Sequence, residues 1–127
     1  MTPYGSLTLE EFCARVQTQE PTPGGGSVSA VAAAMGASLG AMAAAFSTGK
    51  EGAPEVDALR AEMQEVAAGF LRLADDDSRA YERFAAAQKL PRGNDAEKQA
   101  RKAAMQEALR GAAEVPLEGM RRAHRLL

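Results

Sequence analysis

Apolar positions along this chain recur at helical spacing, with no convincing strand alternation. Leu9, Phe12, Cys13 and Val16 follow the capping box Thr8-Leu9-Glu10-Glu11. That pattern predicts a short first helix from about Leu9 to Gln17 with Cys13 on its apolar face. No charged side chain lies between Glu20 and Lys50. Pro21 and Pro23 bar a helix before this stretch and Gly49 stops one after it. Between them the Ala-, Gly- and Ser-rich composition predicts one long helix from Ser27 to about Thr48, because Ala is the best helix former. Val28, Val31, Met35, Leu39, Met42 and Phe46 form its one bulky stripe. A helix this small and apolar on every side is expected to have neighbours all round it, as the central helix of a packed unit.

Gly49-Lys50-Glu51-Gly52 reads as a turn, and Pro54 suits the first position of the next helix. There Val56, Leu59, Met63, Val66, Phe70 and Leu73 alternate by threes and fours, a heptad seam. The same count continues through Asp77, Ala80, Phe84 and Ala87, so Asp77 stands where an apolar residue is due. Pro91-Arg92-Gly93 ends this helix after about Leu90. Asn94-Asp95-Ala96-Glu97 opens another, to about Glu114, with a thin apolar side of Met105, Leu109 and Ala112. Pro116 is expected to break or kink it. A last segment places Leu117, Met120, His124 and Leu127 on one stripe, and the uncapped apolar Leu127 is expected to pack on a partner or a further part of the fold. The expected class is all-α: an antiparallel bundle of four to five helices with an Ala/Gly-rich central helix, one domain over residues 1–127.

Composition narrows the function. Fifteen basic against seventeen acidic residues give a net charge of −2, which favours neither nucleic acid nor an anionic membrane. Trp is absent and aromatics are few, so no base-stacking platform is visible. The lone Cys13 excludes an internal disulfide and a cysteine zinc cluster, and fits a reducing cytoplasm. It reads as core, since no nearby base would activate the thiol. No basic region followed by an apolar run opens the chain, so no secretory signal is expected. The long helix matches a bilayer in length and carries Gly36-x-x-x-Gly40. Ala, Gly and Ser gain little from leaving water, however, so a buried helix of a soluble protein is the expected reading. Much of the 46% hydrophobic content is Ala, which buries little area, so a partner is expected to complete the core.

Two stretches carry candidate chemistry. Gly24, Gly25, Gly26 and Ser27 lie directly before the long helix, where free N–H groups and the helix dipole favour a carboxylate or phosphate. They lack the Gly-Lys-Ser/Thr of a P-loop and the preceding strand of a dinucleotide site. They equally suit a flexible turn with Ser27 as N-cap, and the sequence leaves the two open. Asp77 on an apolar seam would be partly desolvated, which raises a carboxyl pKa and suits proton transfer. Against that, a straight helix drifts about 20° per heptad from the seam, which would carry Asp77 to solvent. Asp75 and Asp76 read as a solvated face, with Asp75 placed to pair with Arg79. Lys50, Tyr81 and Lys89, near helix ends or one step off the seam, are candidate substrate-binding groups, although such residues are usually plain surface. His124 reads as a half-buried packing residue, and no second His or Cys supports a metal site. Between Lys98 and Arg125 seven basic residues face three acidic ones, a solvated face that would also suit a polyanionic tail.

PTPGGGSVSA, the Gly49-Lys50 turn, DDDSRAYERF, the Lys89-Leu90-Pro91 end and EVPLEGM together resemble the cyclodeaminase/cyclohydrolase family. That family comprises formimidoyltetrahydrofolate cyclodeaminase and methenyltetrahydrofolate cyclohydrolase, and the resemblance runs from about Leu7 to Leu127. It implies an all-helical, homodimeric enzyme of folate one-carbon metabolism, a lyase or a hydrolase, with its site near the subunit interface. By this resemblance Gly24, Gly25, Gly26, Ser27, Asp77 and Tyr81 belong to that site. The substrate would be a tetrahydrofolate derivative, with no metal or other cofactor. Members of the family continue through several more helices, so this chain is expected to be a shortened relative, a truncated product or half of something that needs another chain. The alternative is a helical scaffold that keeps the dimer and has lost the site.

Overall fold

The computed structural model describes residues 2–47 and 53–126. A 3₁₀ turn, Tyr4–Ser6, precedes helices α1 (Leu9–Val16), α2 (Gly25–Phe46), α3 (Ala53–Gln88) and α4 (Asp95–Arg125). No strand occurs among the described residues, and the fold is all-α as the spacing predicts. The expectations placed on Gly49, Lys50, Gly52 and Leu127 fall outside those residues.

The capping box of α1 forms as read: Glu11 N–H donates to Thr8 Oγ1 at 3.1 Å, and Thr8 N–H to Glu11 Oε2 at 2.8 Å. Its apolar face is narrower than expected. Phe12 is buried against the ring of Tyr4, whereas Leu9, Cys13 and Val16 are exposed. Cys13 is thus not a core residue, because this eight-residue helix meets the bundle only along the Phe12 line.

The larger correction concerns the centre of the fold. α3, not α2, is the helix on which the others pack. Gly26, Ser27 and Gly40 of α2 meet Asp77, Ser78 and Met63 of α3, so the two run antiparallel. α4 returns along α3 in the same sense, with Arg122 over Gly69 and Arg101 bonded to the carbonyl of Gln88. α2 is covered on one side alone. Ala34, Ala37, Ala41 and Ala44 are buried, because their methyl groups let the two backbones approach closely. Most of the bulky stripe faces outward, with Met35, Leu39 and Phe46 at 48%, 60% and 81% exposure, while Val31 packs beside Tyr4 and Phe12. By length and composition α2 is also the one helix, among the described residues, long and apolar enough to cross a membrane.

On α3 the predicted seam buries Phe70, Leu73, Ala80 and Ala87 and leaves Asp77 half-buried. A second line, Ala74, Asp75 and Ser78, is buried beside it, since the 3₁₀ turn and α2 cover the middle of α3 from another side. α4 continues as one helix through Pro116, so the expected break does not occur there. One missing N–H removes one intrahelical bond, and packing along α3 holds the turns on either side. The side of α4 that meets α3 runs through Val115, Gly119, Arg122 and Leu126. Leu109, Leu117, Met120 and His124 are exposed, so the predicted stripe is displaced. The true stripe escaped a search for apolar spacing because a glycine and an arginine stand in it. The arginine lays its guanidinium over Gly69 and its Nε donates to Glu118 Oε1 at 2.9 Å.

Candidate functional site

The start of α2, the middle of α3 and the second half of α4 enclose a cavity of about 350 Å³. α2 supplies Gly25, Gly26, Ser29, Ala30 and Ala33 to its wall. α3 supplies Phe70, Leu73 and Asp77, and α4 supplies residues from Val115 to Ala123. Among these lining residues Ser29 and Asp77 carry the polar side chains, so Asp77 is a lone carboxylate in an apolar chamber. Asp77 is half-buried on the seam as the heptad count has it, with Gly26 of α2 against its carboxylate on the side where drift would have led to water.

Asp77 lies directly on Gly26. A Cβ built at Gly26 would overlap all three carboxylate atoms, so residue 26 has to be glycine for Asp77 to sit where it does. The first intrahelical bond of α2 runs from Val28 N–H to Gly24 C=O at 3.0 Å, which leaves the N–H groups of Gly25, Gly26 and Ser27 ahead of it. Those N–H groups and the positive end of the helix dipole favour negative charge at this spot. Gly25 has open space where a side chain would stand. Gly24 is the N-cap and lies behind the cavity wall, packed toward the carbonyl of Pro21.

Ser27 is neither N-cap nor open to a ligand. It lies inside α2, fully buried, with Oγ donating to the Ala74 carbonyl at 2.6 Å and 3.1 Å from Ser78 Oγ. The glycines and Ser27 thus split: Gly25 and Gly26 face the cavity, and Ser27 anchors them from behind. Tyr81 stands outside the cavity wall, 40% exposed, its ring edge-on to Phe84. Lys89 is exposed at the far end of α3, and the structure does not bring it to Asp77. Lys50 lies outside the described residues.

Three participants escaped the sequence reading. Asp75, expected on a solvated face paired with Arg79, is buried at 7% exposure and accepts the Tyr4 N–H at 2.8 Å. Asp76 takes the arginine instead, Arg79 Nη1 to Asp76 Oδ1 at 3.3 Å. Tyr4 is buried and its hydroxyl lies 2.8 Å from Ser78 Oγ. The polar run DDDS gave no sign of this, because only a helix covered from two directions buries residues beside its seam.

A second, wider groove of about 590 Å³ lies between the N-terminal segment and the outer side of α2. Leu7, Leu9, Phe12, Met35, Leu39 and Met42 line it, and no carboxylate or basic side chain does. It is an apolar surface, not a chemical site.

The all-helical bundle agrees with what known proteins show. Residues 8–127 match the family model described as formiminotransferase-cyclodeaminase. The methenyltetrahydrofolate cyclohydrolase of Methylorubrum extorquens is 38% identical over 89% of the chain and 56% of its own length. The formimidoyltransferase-cyclodeaminase of Gallus gallus is 36% identical over 85% of the chain and 21% of its own length. The crystal structure of formiminotetrahydrofolate cyclodeaminase from Thermotoga maritima superposes with a TM-score of 0.80 at 34% identity, over 96% of this chain and 59% of that one. The chain belongs to the formiminotransferase-cyclodeaminase family. It spans little more than half the length of the bacterial relatives it matches.

Proposed function

We propose that this chain acts on a tetrahydrofolate derivative in the Asp77 cavity, hydrolysing a methenyl bridge or closing a formimino group with loss of ammonia. The observation that carries the reading is the Asp77 carboxylate, held against Gly26 at the start of α2 in an otherwise apolar chamber. Hydrolysis adds water to the cationic amidinium carbon and then opens the ring. It needs a base for the water and negative charge beside the cation, and one carboxylate in an apolar wall offers both. Cyclodeamination moves a proton from the attacking nitrogen to the departing one, a transfer that the Asp77 carboxylate would relay. Both reactions are acid–base and electrostatic work and call on no metal or organic cofactor.

The proposal includes a homodimer. The outward stripe of α2 and the adjoining groove form one apolar surface, and a second copy of the chain would cover it. Residues 1–127 act in this reading as one helical unit.

The test follows methenyltetrahydrofolate by its absorbance, and formiminotetrahydrofolate by ammonia release, with the wild type and Asp77→Asn. The asparagine keeps the shape and removes the base, so turnover is expected to fall about 10²- to 10⁴-fold with the helical circular-dichroism signal unchanged. A wild-type protein that turns over neither folate would end this reading.

A further inference from the structure

The buried hydroxyl chain behind the cavity has a fixed direction. Ser27 Oγ donates its one proton to the Ala74 carbonyl, which can only accept. Its 3.1 Å bond with Ser78 must then be donated by Ser78. Ser78 has in turn spent its proton, so the 2.8 Å bond to Tyr4 must be donated by the phenol. Protons therefore run one way, from Tyr4 to Ser78 to Ser27 to the Ala74 carbonyl. No buried side-chain polar atom is left without a partner among the described residues.

We infer that Tyr4 is a positioning residue for Asp77, acting through this chain; the inference rests on the folate reading above. Asp75 and Ser78 flank Asp77 on α3, and Tyr4 holds both, through its N–H at 2.8 Å and its hydroxyl at 2.8 Å. Ser78 then reaches Ser27, the residue after the glycine on which Asp77 rests. Gly26, Ser27, Ser78 and Asp77 thus form a closed ring of two covalent links, one hydrogen bond and one packing contact. Tyr4 fixes the rotation of α3 within that ring. A shift of α3 by a fraction of an ångström would move the carboxylate off the glycine, and reaction rates are sensitive to displacements of this size.

Tyr4→Phe tests this, because it keeps the ring against Phe12 and the N–H bond to Asp75 and removes only the first donor. Turnover (kcat) is expected to fall by about three- to tenfold, the value of one hydrogen bond, with KM unchanged. Ser78→Ala is expected to do the same, and the double variant to lose no more than Ser78→Ala alone, since either change cuts one chain. Met63→Ala, which loosens the α2–α3 contact over Gly40, is the stability control: Tm falls and kcat holds. A Tyr4→Phe protein with a lowered Tm but wild-type kcat would reduce Tyr4 to a stabiliser and overturn the inference. If the wild type turns over neither folate, the functional reading has failed, and the ¹³C carboxylate resonance of Asp77, assigned by its loss in Asp77→Asn, decides instead. At fixed pH it shifts in Tyr4→Phe if the phenol positions Asp77, and its staying in place overturns the inference.

Discussion

Three consecutive aspartates of α3 meet three fates. Asp75 is buried and holds a backbone N–H, Asp76 pairs with Arg79 in solvent, and Asp77 faces the cavity. The heptad count singled out Asp77 because spacing along one helix is a local property. It gave nothing for Asp75, whose burial depends on the Tyr4 turn arriving from 71 positions away in the chain. Ser27 was misread for the same reason, since its partners lie on another helix. At residue 26 the missing side chain is itself the feature. Gly26→Ala gains up to about 1 kcal/mol of helix propensity, against a crowding cost of about 1–3 kcal/mol. Net stability therefore falls, by up to about 2 kcal/mol, and the methyl group displaces the carboxylate. Turnover is expected to fall by about tenfold or more, with Tm, read by calorimetry, lowered by up to about 8 °C.

At the scale of elements, composition and caps located the helices well. α1 starts where the capping box says, α3 begins next to Pro54, and Asn94 caps α4 by accepting the Glu97 N–H at 2.8 Å. What each helix faces was less legible. α4 meets α3 through Gly119 and Arg122, residue types that no hydrophobicity pattern marks. The α1 cap also makes a statement about pH. The Thr8 N–H donating to Glu11 holds that carboxyl below its ordinary value of 4.5. A depressed carboxyl stabilises the fold above its ordinary pKa, and that contribution is lost as pH falls through the lowered folded value. Glu11→Gln is therefore expected to lower Tm at neutral pH, with the gap to the wild type closing as pH drops below about 4.5. Thermal melts from pH 7 downward check it; a constant gap would mean that the charge is not what matters.

At the scale of the molecule, the sequence foresaw an all-helical bundle and mistook which helix stands at its centre. An alanine-rich helix seemed destined for enclosure, yet beyond its small face and Val31 its large residues, Met35, Leu39, Met42 and Phe46, point away from the fold. If a second copy covers that stripe, as proposed, Leu39→Glu places a charge in the contact and is expected to halve the mass read by sedimentation. A protein that already sediments as a single chain would remove the dimer. The bare stripe also bears on heat tolerance. Where part of the apolar core is completed by another molecule, dilution peels that part away, and resistance to heating depends on how much protein the sample holds. Melts of a concentrated and a dilute solution of this chain should then differ, the crowded one surviving to the higher temperature.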